Sequence, residues 1–289
     1  MVQPASVALR PLLVPVELRG EAAGLFSSLT SGAMVAGPVL GGLLVASLGP
    51  TWGFVAVGAG SFWSAAWMAR VRTRPKPRER ESSFLADLAE GAGVVRRVAW
   101  LVAGLVSAAA FHLGTGLLIV LLEVTVVRDL GGPSALGWVV GLQGVGGVVG
   151  GLIAMRWLGT RLLARGFAML ALTPLLPFAL AWPGTLWAVM LGAALSQLGI
   201  MAFSVAWDVA LQDGIEHRHL ARVASWDQLV SFVALPVGAG LAGVVASGAR
   251  PEVVFTGLGL WLGVAGLIPL AVPAIWRLRR VTVTSPGGR

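Results

Sequence analysis

The sequence predicts an all-α protein that crosses a membrane eight times, and three observations predict it. The 289 residues are 56% hydrophobic and only 12% charged, with a mean hydropathy of +0.84; a soluble domain is about 45–50% apolar and about 25% charged. Long uncharged runs are separated by glycine, proline and charge. Lys and Arg fall almost entirely in alternate connections between those runs.

A spanning helix needs about 20 mostly apolar residues. The first such run, 25–48, stops at Gly49-Pro50, and the second, 53–70, stops in a basic stretch that begins at Arg70. The third, 99–127, is closed by Gly131-Gly132-Pro133. The fourth and fifth, 135–157 and 162–182, are separated by a short connection within Arg156 to Arg165, and Trp182-Pro183-Gly184 ends the fifth. The sixth, 185–212, runs into the charged stretch from Asp213 to Arg222; the seventh, 223–247, ends before Arg250-Pro251, and the eighth covers 252–276. These breaks are turn chemistry or charge, neither of which continues a buried helix. Between the second and third runs, residues 82–96 place Phe84, Leu85, Leu88 and Val95 toward one face, the pattern of an amphipathic helix lying on the inner leaflet. Trp52, Trp100, Trp138, Trp182, Trp187 and Trp276 fall at or close to span ends, as interfacial anchors do, whereas Trp63, Trp207 and Trp226 are open to packing or ligand contact.

Of the 21 Lys and Arg, nineteen lie on one side of this arrangement, and Arg128 and Arg250 lie on the other. The excess marks the cytoplasmic side, so both termini are expected there. Much of the net charge of +8 is then contact with anionic lipid, and nucleic acid is not an expected partner. The first 24 residues carry Pro4, Pro11, Pro15 and four charged side chains, and no signal peptide is read in them. With no cysteine, disulfides, thiolate nucleophiles and cysteine-held metals are excluded.

Two stretches echo each other. Shifted by 198 residues, Val35-Ala36-Gly37-Pro38-Val39-Leu40-Gly41-Gly42-Leu43 overlies Val233-Ala234-Leu235-Pro236-Val237-Gly238-Ala239-Gly240-Leu241 with six identities in nine. A parallel repeat in a polytopic protein is the arrangement of transporters built from two equivalent bundles. Small residues admit close backbone approach, and proline kinks a span, so Gly37, Pro38, Gly41, Gly42, Pro236 and Gly240 are candidates for packing or gating between bundles. The bland alternative is that Gly and Pro are common in membrane helices.

Gly37-Pro38-Val39-Leu40-Gly41-Gly42 resembles the Gly-Pro-x-x-Gly-Gly core of the helix-five motif in exporters of the major facilitator superfamily. Upstream, Pro11 to Arg19 resembles the turn between helices four and five in the branch of siderophore and macrolide exporters. Trp207 to Gln212 followed by Leu220 to Asp227 resembles the junction of helices ten and eleven in that branch. The resemblance implies that the eight spans are helices five to twelve, with Arg156 and Arg161 a degenerate form of the basic loop between helices eight and nine. Residues 1–70 would then be the remainder of an N-terminal bundle, 71–97 a basic cytoplasmic linker, 98–276 a C-terminal six-helix bundle and 277–289 a cytoplasmic tail. On this reading helices one to three and most of four are lacking, and the repeat offset puts their start about 100 residues upstream of Met1. A start codon assigned too late and a truncated gene both fit.

Polar residues inside spans mark pathways, because each is costly in lipid. His112 and Glu123 are eleven residues apart, close to three helical turns, so they share a face with Thr115 and Ile119. Gln197 and Asp208 repeat that spacing, with Met201 and Ser204 between them, and Gln143 is a weaker candidate. The resemblance places both helices beside the substrate cavity, so the four paired residues are expected to border one aqueous space. Each also has a structural reading: Glu123 as a surface anion near Arg128, His112 and Gln197 as interhelical hydrogen-bonding groups, and Asp208 as a partner for Arg222. Asp227, with Arg222 at the cytoplasmic junction, is expected to make an inter-bundle or helix-start contact.

The sequence has no Gly-x-Ser-x-Gly, no His-Glu-x-x-His and no phosphate loop, so no enzyme, cofactor or metal site is read. The glycines around Gly144 to Gly147 read as helix packing. The expected function is proton-coupled export of a small amphipathic substrate by a multi-pass protein of the cell inner membrane. The alternative is a non-transporting membrane remnant or interaction protein.

Overall fold

The computed structural model describes residues 48–70, 84–157, 161–182 and 185–278, with the single positions 33, 40 and 44. Described residues are helix and turn, with no strand among them. Contacts divide the chain into two units, Met1–Ser83 and Phe84–Arg289.

In the first unit, α1 spans Pro50–Arg70. Gly49 precedes it at φ 87°, a backbone region that suits glycine, and Pro50 supplies the preset φ of a first helical residue. At the basic end the Arg70 guanidinium lies 5.3 Å from the centroid of the Trp67 ring. The expected span 53–70 is thus helical throughout, yet it is not among the six described stretches long and apolar enough to cross a membrane. Its tryptophans, serines and glycines are the reason. Apart from positions 33, 40, 44 and 48, the expected span 25–48 lies outside the described residues, as do Gly37, Pro38, Gly41, Gly42 and linker residues 71–83.

The second unit holds α2 Phe84–Arg97, α3 Ala99–Asp129, α4 Gly132–Trp157, α5 Leu162–Met169, α6 Leu175–Ala181, α7 Leu186–Gly214, α8 His217–Gly248, α9 Pro251–Leu267 and α10 Pro273–Arg277. Six candidate spans match the expected ones closely: Ala99–Asp129, Gly132–Ala154, Leu162–Ala181, Leu186–Gly214, Arg222–Gly248 and Pro251–Ala271. Length and apolarity together fit a multi-pass membrane bundle. Gly131 and Gly132, at φ 120° and 78°, make the sharp turn between α3 and α4. Thr185 caps α7 by accepting a hydrogen bond from the Ala188 N–H at 3.3 Å.

Two helix pairs dominate the packing, α4 with α7 and α3 with α8. Glycine is why they approach so closely. A Cβ at Gly146 or Gly150 would overlap the carbonyl oxygens of Ala194 and Leu198 on α7, so these two glycines serve helix packing. On the other pair, a Cβ at Gly116 would overlap the Leu235 carbonyl, and one at Gly238 the Leu113 carbonyl. Within the repeated stretch it is therefore Gly238 that meets α3. Pro236 and Gly240 lie on the exposed side of α8, with open space around Gly240.

The amphipathic α2 uses part of its apolar face on protein. Val94 and Val95 pack against the bundle core, and Gly91 lies against the Trp226 ring and the Arg222 carbonyl. Val95, expected to face lipid, is therefore a bundle contact.

Prolines interrupt two spans, and the freed carbonyls find new donors. Pro174 has no N–H for the carbonyl of Leu170, four residues earlier; the Thr173 hydroxyl (2.7 Å) and N–H (3.0 Å) donate to it instead, across a 3-10 turn at Leu170–Leu172. Pro269 likewise frees the carbonyl of Ala265, and buried Ser107 on α3 donates to that oxygen at 2.6 Å. The expected helix 252–276 consequently gives way to a 3-10 turn after Leu267 and resumes as α10 at Pro273. Replacing Ser107 by alanine leaves a buried carbonyl without its interhelical donor, so a loss of about 1–3 kcal/mol in unfolding free energy is expected. Reversible denaturation in mixed micelles, with Ser107→Thr keeping the hydroxyl, checks it.

Candidate functional site

The expected pathway residues divide into three places. Glu123 lies three helical turns above His112, roughly 16 Å along α3, and is exposed. Gln143 and Gln197 are half-buried on the α4–α7 pair, where the Gln197 Cγ lies 3.5 Å from where a Gly147 Cβ would stand. Asp208, on the same face of α7 but again roughly 16 Å further along, is exposed.

The lower group gathers around Trp207. This indole is buried where α3, α7 and α8 meet: its ring fills the space left by Gly104, sits edge-on to Trp100 at 5.8 Å and stacks on Phe203 at 6.0 Å. Trp207 therefore packs, and the ligand reading of its ring is not supported. Its Nε1–H donates to Asp227 Oδ1 at 3.1 Å, linking two helix pairs that otherwise touch little. Asp227 is within Coulombic range of both Asp208 and His112. His112 is half-buried, and its Nδ1 lies 2.8 Å from the Ala108 carbonyl. A carbonyl can only accept, so Nδ1 carries hydrogen in this contact and Nε2 is the ring nitrogen left for another partner.

Two carboxylates and an imidazole thus share one junction, although they come from three helices. The sequence sets Asp227 at the cytoplasmic junction, apart from the pathway candidates. The available signal was the repeated dipeptide Trp207-Asp208 and Trp226-Asp227, set on either side of the charged turn that starts at Asp213. A helical hairpin brings such positions together. At the junction's edge, Arg222 Nη1 donates to Glu90 Oε1 at 2.7 Å, and His219 Nδ1 lies 3.8 Å from the same oxygen. Arg222 thus pairs with Glu90 on α2. Half-exposed, this ion pair contributes little stability and chiefly registers α2 on α8. No group of metal-ligating side chains occurs among the described residues.

Residues 1–119 match the family model of the Major Facilitator Superfamily, a stretch that includes α1, α2 and the part of α3 carrying His112. These residues support membership in that superfamily. A relative from Sinorhizobium fredii (strain NBRC 101917 / NGR234), named as the uncharacterized MFS-type transporter y4rN, supports the same placement across most of the chain. It is 28% identical over 276 residues, which is 92% of this chain and 66% of the relative. The chain thus spans just under two thirds of that relative's length. No solved structure matches.

Proposed function

We propose that the chain acts as a secondary active transporter of the Major Facilitator Superfamily, coupling proton movement to export of a small amphipathic molecule. The observation that carries this is the junction of Asp208, Asp227 and His112 inside the spans, joined to the packing through Trp207. Ionisable groups are costly inside a span, and Asp227 is the group that the other two share. Because Trp207 holds Asp227 across two helix pairs, a change of proton occupancy acts on the contact between those pairs. Gln143 and Gln197, further along the α4–α7 pair, supply neutral hydrogen-bonding groups for a ligand, and Glu123 is a candidate at the far end of α3. In this reading α1 and the stretch 25–48 are two further spans, and both termini lie in the cytoplasm beneath an inner membrane.

The test is acidification or alkalinisation of sealed vesicles containing this chain, followed with an internal pH dye as a panel of amphipathic fluorophores is supplied. The wild type is expected to move protons with at least one of them. Asp208→Asn and Asp227→Asn should drop to the protein-free background while remaining monodisperse. Coupled flux unchanged in both variants would remove the junction from the mechanism. No flux from the wild type with any compound would favour the non-transporting reading.

A further inference from the structure

A second site lies at the ends of two spans. The span Leu162–Ala181 begins, and the span Pro251–Ala271 ends, on the same side of the bundle, and that side carries the large excess of Lys and Arg in the sequence. Between them is a pocket of about 600 Å³ lined by Arg161, Leu270, Ala271, Pro273, Trp276 and Arg277. Its two guanidiniums face no carboxylate in the lining, and the other four residues are apolar or aromatic. Arg161 immediately precedes one span, and Ala271 closes the other, so the pocket sits where hydrocarbon gives way to headgroups. Trp276 is fixed as a wall, because its Nε1–H donates to the Leu270 carbonyl at 2.8 Å. The break after Leu267 lies beside the pocket, whose lining takes Leu270 and Ala271 from the 3-10 turn and Pro273, Trp276 and Arg277 from α10.

We infer that this pocket binds the phosphate of an anionic phospholipid between Arg161 and Arg277, with the first acyl carbons against Leu270, Ala271 and Trp276. Guanidinium forks match phosphate oxygens, and an apolar wall suits a ligand that is charged at one end only. A free phosphate offers the same oxygens but leaves that wall unused. The site is separate from the Trp207 junction and does not depend on a transport activity.

The test uses the full chain purified in a neutral detergent, with lipid adducts counted by native mass spectrometry in equimolar phosphatidylglycerol and phosphatidylcholine. The wild type should retain phosphatidylglycerol preferentially. Each of Arg161→Gln and Arg277→Gln should reduce that preference about 5-fold, and the double variant roughly 30-fold, the effect of losing one or two cations near a membrane surface. Arg250→Gln, on the opposite side of the bundle, should leave it unchanged. If the double variant does not fold, the two single variants decide. An unchanged preference in both would overturn the site. Inorganic phosphate bound by the wild type as tightly as phosphatidylglycerol would overturn the lipid assignment and identify a free-anion site.

Discussion

Replacing Gly238 by valine is expected to destabilise the second unit by about 3 kcal/mol or more, at the upper end for inserting carbon into a packed interior. The reason is the kind of atom it would meet. A Cβ at Gly238 would overlap the Leu113 carbonyl oxygen, and a Cβ at Gly116, on the facing helix, would overlap the Leu235 carbonyl. The two glycines thus admit backbone on backbone from both sides of one crossing. Neither side can turn a rotamer to make room, so relief requires separating α3 from α8 over their whole contact. Between helices in lipid no strong hydrophobic term replaces the lost packing, because acyl chains are as apolar as side chains. Gly240→Val, two residues along the same helix, provides the contrast, since nothing stands within 4 Å of its Cβ direction. The measurement is reversible unfolding in mixed micelles: Gly238→Val should lose most of its folded population where Gly240→Val remains close to the wild type. Equal behaviour of the two variants would mean that α3 and α8 do not meet backbone to backbone at Gly238.

That contrast also marks where the sequence was legible. Spans such as 99–127 and 185–212 were readable to within about two residues of Ala99–Asp129 and Leu186–Gly214, because an uncharged run and a glycine or proline turn are local signals. Which glycine in Leu235-Pro236-Val237-Gly238-Ala239-Gly240 touches a neighbour was not readable. The answer depends on the rotation of α8 about its axis, which packing sets rather than composition. The break after Leu267 was hidden for a similar reason. Pro269 is visible, but a membrane helix can carry a proline intact when a donor is supplied, and the donor here, Ser107, is 158 residues away. The paired eleven-residue spacings put His112 with Glu123, and Gln197 with Asp208, on shared faces. They could not say that His112 and Asp208 would be drawn to Asp227 on a third helix while Glu123 and Gln197 stayed at other levels. Shared face is a property of one helix; shared site is a property of several.

Trp207→Ala is expected to have the second large effect, and comparison with Trp207→Phe separates its two causes. The alanine variant removes a 6% exposed indole that contacts Trp100, Phe167 and Phe203 and covers Gly104. Truncation of a buried aromatic of this size costs about 3–5 kcal/mol. It also takes the Nε1–H from Asp227, leaving that carboxylate without this donor between α7 and α8. Phenylalanine keeps much of the ring packing and loses the same N–H, so its cost should be closer to the about 1–3 kcal/mol of a lost buried partner. The difference between the variants measures packing, and the phenylalanine value measures the hydrogen bond. A double-mutant cycle of Trp207→Phe with Asp227→Asn then asks whether the two residues act through each other: direct contact predicts a coupling of about 0.5–3 kcal/mol. Strict additivity would show that Trp207 does not hold Asp227, and the junction would lose the link through which proton occupancy is proposed to reach the packing of the two helix pairs.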